Sequence, residues 1–147
     1  MTISPKKTLS LFSSLFLLLI ALPAQAQAGP LTTHQDQFAS QLASRIGLQL
    51  AVTRAWCLAE ESGTAAGNRE KAGNNNWLNV GYYDGGDNNW KVSVSSAVTK
   101  TIQRMKNFAG GRRILAAGGK SRETQIRAIA GSGWAASGYH NGDDPVS

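Results

Sequence analysis

The sequence predicts a mainly α domain, α+β in class, with one small β-hairpin inserted after the second helix. Three observations carry this. Apolar residues recur at helical spacing in four stretches of the chain. Two runs of strand-type residues flank a turn-rich segment, Asp84-Gly85-Gly86-Asp87-Asn88-Asn89. Glycine-bearing breaks separate these pieces.

Taken in order, residues 1–28 read as a signal peptide. Lys6 and Lys7 precede a nearly unbroken apolar run from Leu11 to Leu22, then Pro23 and the small-residue stretch Ala24-Gln25-Ala26-Gln27-Ala28. That run is shorter than the ~20 residues a membrane-spanning helix needs. The expected product is an exported chain starting near Gln27 or Gly29, secreted or periplasmic, with no stable membrane insertion. Residues 29–139 form one domain, and 140–147 a loose tail.

A first helix is expected over 33–46, where Phe38, Leu42 and Ile46 recur every fourth residue and Gly47 stops it. A second is expected over 48–61. Leu48, Val52, Trp56 and Glu60 step by four, Ala51, Ala55, Leu58 and Ala59 widen the apolar face, and Gly63 closes it. Residues 64–76, rich in Gly, Ala and Asn, read as a loop. Residues 77–83 and 90–94 read as the hairpin arms.

Ser95 or Ser96 is expected to cap a third helix with Val98, Ile102, Met105 and Phe108 or Ala109 inward, ended by Gly110-Gly111. A short helix over 112–117 follows. Ser121 caps a last helix carrying Glu123 in its first turn, where the helix dipole favours an anion. Residues 131–139 read as a flexible segment with two aromatics, Trp134 and Tyr139.

Composition narrows the function classes. Without Lys6 and Lys7 there remain 13 basic and 9 acidic side chains, a mild positive excess that suits an anionic polymer such as a cell wall. No Lys/Arg cluster or binding motif points to nucleic acid. Cys57 is the single cysteine, so no internal disulfide forms, and a buried role suits it better than a reactive one. His34 and His140, placed in disordered ends, make no metal-ligand spacing with Cys57. No phosphate loop and no nucleophile elbow occurs. The expectation is a monomer with no metal and no cofactor.

The chemistry-bearing stretch is Trp56-Cys57-Leu58-Ala59-Glu60-Glu61-Ser62-Gly63 followed by Asn74-Asn75-Asn76-Trp77-Leu78-Asn79-Val80-Gly81-Tyr82-Tyr83. Glycoside cleavage needs an acid that still holds a proton near neutral pH, and apolar surroundings provide it by penalising the charged form. Glu60 lies on the Val52–Trp56 stripe. Glu61 falls on a more mixed face, a solvated neighbour or an ion-pair partner of Arg54. Glu60 is therefore the expected general acid, with Glu61 the other candidate.

Asn75, Asn76 and Asn79 offer amides suited to sugar hydroxyls and acetamido groups. Tyr82, Tyr83 and Tyr139 offer ring faces, while Trp56 and Trp77 are expected in the core or cleft wall. Asp84 and Asp87 are the acids placed to face Glu60 as a second carboxylate, although their place beside Gly suits ordinary turn formation better. Otherwise the acid acts alone and a sugar hydroxyl is the nucleophile.

Three ordered motifs in this chain, Ala59-Glu60-Glu61-Ser62-Gly63, Asn75-Asn76-Trp77-Leu78-Asn79-Val80-Gly81-Tyr82 and Ser132-Gly133-Trp134-Ala135, resemble lysozyme-like domains of phage-tail and secreted bacterial proteins, including lytic transglycosylases. The similarity spans residues 48–139. It implies a lysozyme-like fold, Glu60 as proton donor, and cleavage of the bond between N-acetylmuramic acid and N-acetylglucosamine in peptidoglycan. Glu61 stands where those relatives carry Asn, and Trp77 where they carry Pro. The alternative is a glycan-binding module that keeps the cleft without the chemistry.

Overall fold

The computed structural model describes residues 30–81 and 89–134. Among them the fold is mainly α, with six helices and no strand: α1 Thr33–Ile46, α2 Leu50–Glu60, α3 Gly63–Lys71, α4 Val94–Lys106, α5 Ala109–Ala116 and α6 Arg122–Ala130. None of these helices is long and apolar enough to cross a membrane.

α1 forms where its apolar stripe and end signals agree. Thr32 and Gln35 close a capping box, Gly47 terminates the helix in the left-handed region at φ 74°, and Phe38, Leu42 and the alanines beside them are buried. His34 lies inside this helix rather than in a disordered end. α1 packs against α2, α3 and α4, α2 meets α6, and α5 bridges α4 and α6. The core between them gathers Phe38, Leu42, Val52, Trp56, Trp77, Leu78, Val98, Met105 and Ile114.

α2 is shorter than expected at both ends, and its alanines Ala51, Ala55 and Ala59 face solvent, so Val52, Thr53, Trp56 and Cys57 alone form its buried side. Two remote glutamines complete its ends. Gln125, buried in α6, accepts the Gln49 backbone N–H at 2.8 Å and donates to the carbonyls of Gly47 and Lys120. Gln35, fully buried in α1, donates to the carbonyls of Cys57 (3.0 Å) and Glu61 (2.8 Å). Helix ends leave backbone groups without intrahelical partners, and burying them unpaired is costly. These two amides satisfy that need and fix the helix whose last turn carries the acidic pair.

Gly63 does not close a loop-bound helix. It takes φ 58° and opens α3, so most of the expected loop over 64–76 is helical. Ala66 is the residue that buries, and one apolar anchor gives no periodic signal to read. Gly110-Gly111 likewise lies inside α5 instead of ending the preceding helix. A Cβ on Gly110 would collide with the Ser132 carbonyl, and one on Gly111 with the backbone of Met105. These glycines permit close packing; they are not stops. Ser93, not Ser95 or Ser96, caps α4 by accepting the Ser96 N–H, which adds Val94 to the buried face. Ser121 caps α6 as the sequence indicates.

Of the expected hairpin arms, 77–81 and 90–93 are turns and irregular chain, Val94 opens α4, and residues 82–88 lie outside the described residues. Asn79 at φ 52° and Gly81 at φ 81° turn the backbone out of an extended path. Asn74 and Asn75, just before the first segment, hold the second through the Asn75 N–H, which donates to the Trp90 carbonyl at 3.1 Å, and through their side chains. Asn74 accepts the Trp90 N–H at 2.9 Å, and Asn75 donates to the Val92 carbonyl at 2.7 Å.

Candidate functional site around Glu60

The site assembles where the end of α2 meets the turn over 74–81. α2 stops at Glu60, with Glu61 extended behind it. The Glu60 carboxylate is half-buried. Its Oε1 accepts the Trp56 indole N–H at 3.3 Å, one turn back on the same helix. Its Oε2 accepts the Asn79 amide at 3.1 Å, and the same Nδ2 sits 3.2 Å from the Glu60 carbonyl. Asn79 reaches this position because its backbone is left-handed, a conformation Asn tolerates better than most residues. The surroundings of Glu60 thus include the indole N–H of Trp56 and the amide of Asn79, a more polar setting than its place on the apolar stripe suggested.

Arg69, on α3, organises the other side. Its guanidinium pairs with the Glu61 carboxylate, donates to the Asn76 carbonyl, and donates to Asn79 Oδ1 at 2.8 Å. It also lies 5.9 Å from the centre of the Trp77 ring. Burial lowers the Arg69 pKa from its ordinary value, and the carboxylates of Glu61 and Glu60 oppose that shift. Glu61 is therefore engaged by Arg69, not by Arg54 as expected. Arg54 pairs with Asp36 at 2.7 Å on the exposed side of α1 and α2.

Asn75 and Asn76 belong to the frame rather than to an open binding face. They are 5% and 0% exposed. The Asn75 amide bonds Val92 and the Trp77 indole, and the Asn76 amide brackets Val80 through its N–H and carbonyl at 2.9 Å each. Such side chains cannot also meet a sugar without breaking the turn they hold. Of the expected amide contacts, Asn79 alone stands beside the acid. Tyr82, Tyr83, Asp84, Asp87 and Tyr139 lie outside the described residues.

Trp134 joins the far end of the chain to this site. Ser132 bonds back to the Ile129 carbonyl and accepts the Trp134 N–H. The Trp134 indole donates to the Leu78 carbonyl at 2.8 Å and packs edge-on against Trp56, ring centres 5.3 Å apart. The segment expected to be flexible is, as far as Trp134, a fixed wall behind the ring that holds Glu60.

Gln35 and Gln125 carry no local signal in the sequence for this role, since each reaches remote parts of the chain, up to 78 positions away. Arg69 had one usable clue: a base on the segment just before an amide-rich turn and just after two glutamates. Cys57 is fully buried, and burial pushes its thiol well above the usual range, so it supplies no nucleophile. Among the described residues no group of His, Cys, Asp and Glu could hold a metal ion. A shallow hollow of about 570 Å³ over Leu31, Thr32, Asp36 and Arg54 does not include Glu60. Comparisons with protein-family models, curated proteins and solved structures find no match to this chain.

Proposed function

We propose that this chain cleaves peptidoglycan glycan strands at the bond between N-acetylmuramic acid and N-acetylglucosamine, outside the cytoplasm, with Glu60 as the general acid. The observation that carries this reading is the meeting of one half-buried carboxyl group, at a helix end, with the amide of the asparagine-rich turn. Glu60 gives its proton to the glycosidic oxygen as the C–O bond breaks. Asn79 and Trp56 hold the carboxyl in one orientation while this happens. Water, or the 6-hydroxyl of the muramoyl residue, then bonds to the anomeric carbon and gives its proton to the Glu60 carboxylate, which restores the acid. The lysozyme-like class of the fold is part of the same proposal, supported by the three sequence motifs and the mainly α architecture.

A second reading, a glycan-binding module without catalysis, draws on a specific observation: Arg69 engages Glu61, so the acidic neighbour of Glu60 is paired within the fold instead of serving as a second catalytic carboxylate. Incubating the protein with purified wall and weighing the released muropeptides separates the two. Cleavage yields fragments, and their mass distinguishes addition of water from 1,6-anhydro closure by one water. Retention on the wall with no fragments at any pH contradicts the catalytic reading.

A further inference from the structure

An asparagine amide has one end that only donates and one that only accepts, of nearly the same shape, so its neighbours decide which end faces which group. At Asn79 that choice matters, because one end meets Glu60. Its Nδ2 lies 3.1 Å from Glu60 Oε2 and 3.2 Å from the Glu60 carbonyl, both acceptors. Its Oδ1 lies 2.8 Å from a guanidinium nitrogen of Arg69.

A guanidinium settles such a choice, since it carries donors alone and keeps its proton. Arg69 is itself held on several sides: it pairs with Glu61, donates to the Asn76 carbonyl and lies against Trp77, and its side chain is only 16% exposed. Arg69 thus grips Oδ1 while the Glu60 carbonyl grips Nδ2, and the amide is locked from both ends. The opposite orientation would set Nδ2 against the guanidinium, donor against donor, and Oδ1 against Glu60. An Oδ1 beside a protonated carboxyl accepts its O–H and competes with the glycosidic oxygen for the proton. Nδ2 instead donates to the carboxylate that remains once the proton has gone.

We propose that Arg69 is a positioning residue for proton transfer: by holding Oδ1 of Asn79 it keeps the donor end of that amide on Glu60, so the Glu60 proton passes to the sugar oxygen and not to Asn79. This role rests on the reading of Glu60 as the general acid. The step moves one proton from Glu60 to the glycosidic oxygen as the C–O bond breaks, and the N–H groups of Asn79 and Trp56 donate to the carboxylate so formed. Arg69 acts through Asn79. It also ties α3 to the end of α2 and to the turn, and the orientation of the Asn79 amide is what separates steering from mere tethering.

The test measures wall digestion in a Glu61→Gln background, so that no carboxylate is left without its partner, with Arg69 kept or changed by Arg69→Lys or Arg69→Gln. Lysine only donates, whereas glutamine offers either end and frees the Asn79 amide to turn. Arg69→Gln should lower kcat about tenfold or more with KM within about twofold, and Arg69→Lys should keep kcat within about threefold. Asn79→Asp leaves Arg69 in place but puts a carboxylate oxygen where Nδ2 stood, and should lower kcat as far as Arg69→Gln does. Circular dichroism checks that each variant folds. A second readout needs no activity: the side-chain amide NMR signals of Asn79, assigned by their absence in Asn79→Asp. Adding Glu60→Ala should move them at least about twice as far with Arg69 or Arg69→Lys as with Arg69→Gln. Equal kcat in Arg69→Lys and Arg69→Gln, a loss confined to KM, or equal signal movement in all three, in a protein that digests wall, overturns the role of Arg69 alone. A wild type that digests no wall overturns the reading of Glu60 as the acid and the steering role with it.

Discussion

The Nδ2 of Asn79 stands 3.1 Å from the Oε2 of Glu60, while its Oδ1 accepts from Arg69 at 2.8 Å. One amide, held in a left-handed turn, thereby links the proposed acid to the guanidinium that occupies its neighbour Glu61. Asn79→Gly keeps the backbone conformation accessible and removes both bonds. A hydrogen bond to a charged group is worth about 1.5–3 kcal/mol, so muropeptide release should fall roughly tenfold or more, since 1.4 kcal/mol is tenfold. The far-ultraviolet dichroism should stay helical. Unchanged release would show that Asn79 does not orient the acid.

The two buried glutamines should be worth more to stability than any surface ion pair. Gln35→Leu takes the donor from the Glu61 carbonyl, and Gln125→Leu takes the partners of the Gln49 N–H and the Lys120 carbonyl, while the Cys57 and Gly47 carbonyls keep the backbone N–H groups of Glu61 and Gly119. Each change should cost about 1–3 kcal/mol per group left unpaired, read from denaturant midpoints. Arg127→Gln, which breaks an exposed pair with Glu123, should cost less than about 1 kcal/mol.

Two glycines should respond in opposite directions. Gly110→Ala drives a methyl into the Ser132 carbonyl and pushes away the segment that places Trp134, so stability and tryptophan fluorescence should both change sharply. Gly67, inside α3 with nothing near its missing Cβ, should tolerate Ala and gain about 0.5–1 kcal/mol from reduced chain entropy. Thermal melts of the two variants give the comparison.

Cys57 should resist thiol reagents in the native protein and react at once after unfolding. Burial raises its folded-state pKa above the unfolded value, followed by the charges of Glu60 and Asp36. Its neutral form is therefore the one the fold favours. That contribution is complete below the ordinary thiol range and is lost above it, as the unfolded thiol ionises, by up to about 1.4 kcal/mol per pH unit. Cys57→Ala should remove this alkaline loss, measurable as a flatter stability profile above the thiol range.

How much of this was legible in the sequence follows from what each element depends on. α1 declares itself because Phe38, Leu42 and Gly47 put stripe and stop on the same residues. α6 does so through Ser121 and its buried Ile129. α3 is hidden because two glycines and one buried alanine resemble a loop until packing is known. Gly110 and Gly111 mislead for a related reason: their purpose is the approach of distant backbone, which no local pattern contains. At the site, helical spacing placed Glu60 beside Trp56 and ruled correctly on which glutamate lies nearer that ring. It misassigned the partner of Glu61, because Arg69 comes from a helix that the composition concealed. The asparagine cluster drew attention to the right turn, but Asn75 and Asn76 spend their amides holding it together.

The most direct measurement of the central claim compares wall digestion by wild type, Glu60→Gln and Glu61→Gln. Glutamine at 60 keeps the side-chain shape and one acceptor oxygen, enough for Asn79 or for Trp56, while removing the proton to be transferred. Release of muropeptides should vanish in Glu60→Gln with the fold intact, and fall only modestly in Glu61→Gln. Digestion by Glu60→Gln at the wild-type rate would contradict the account.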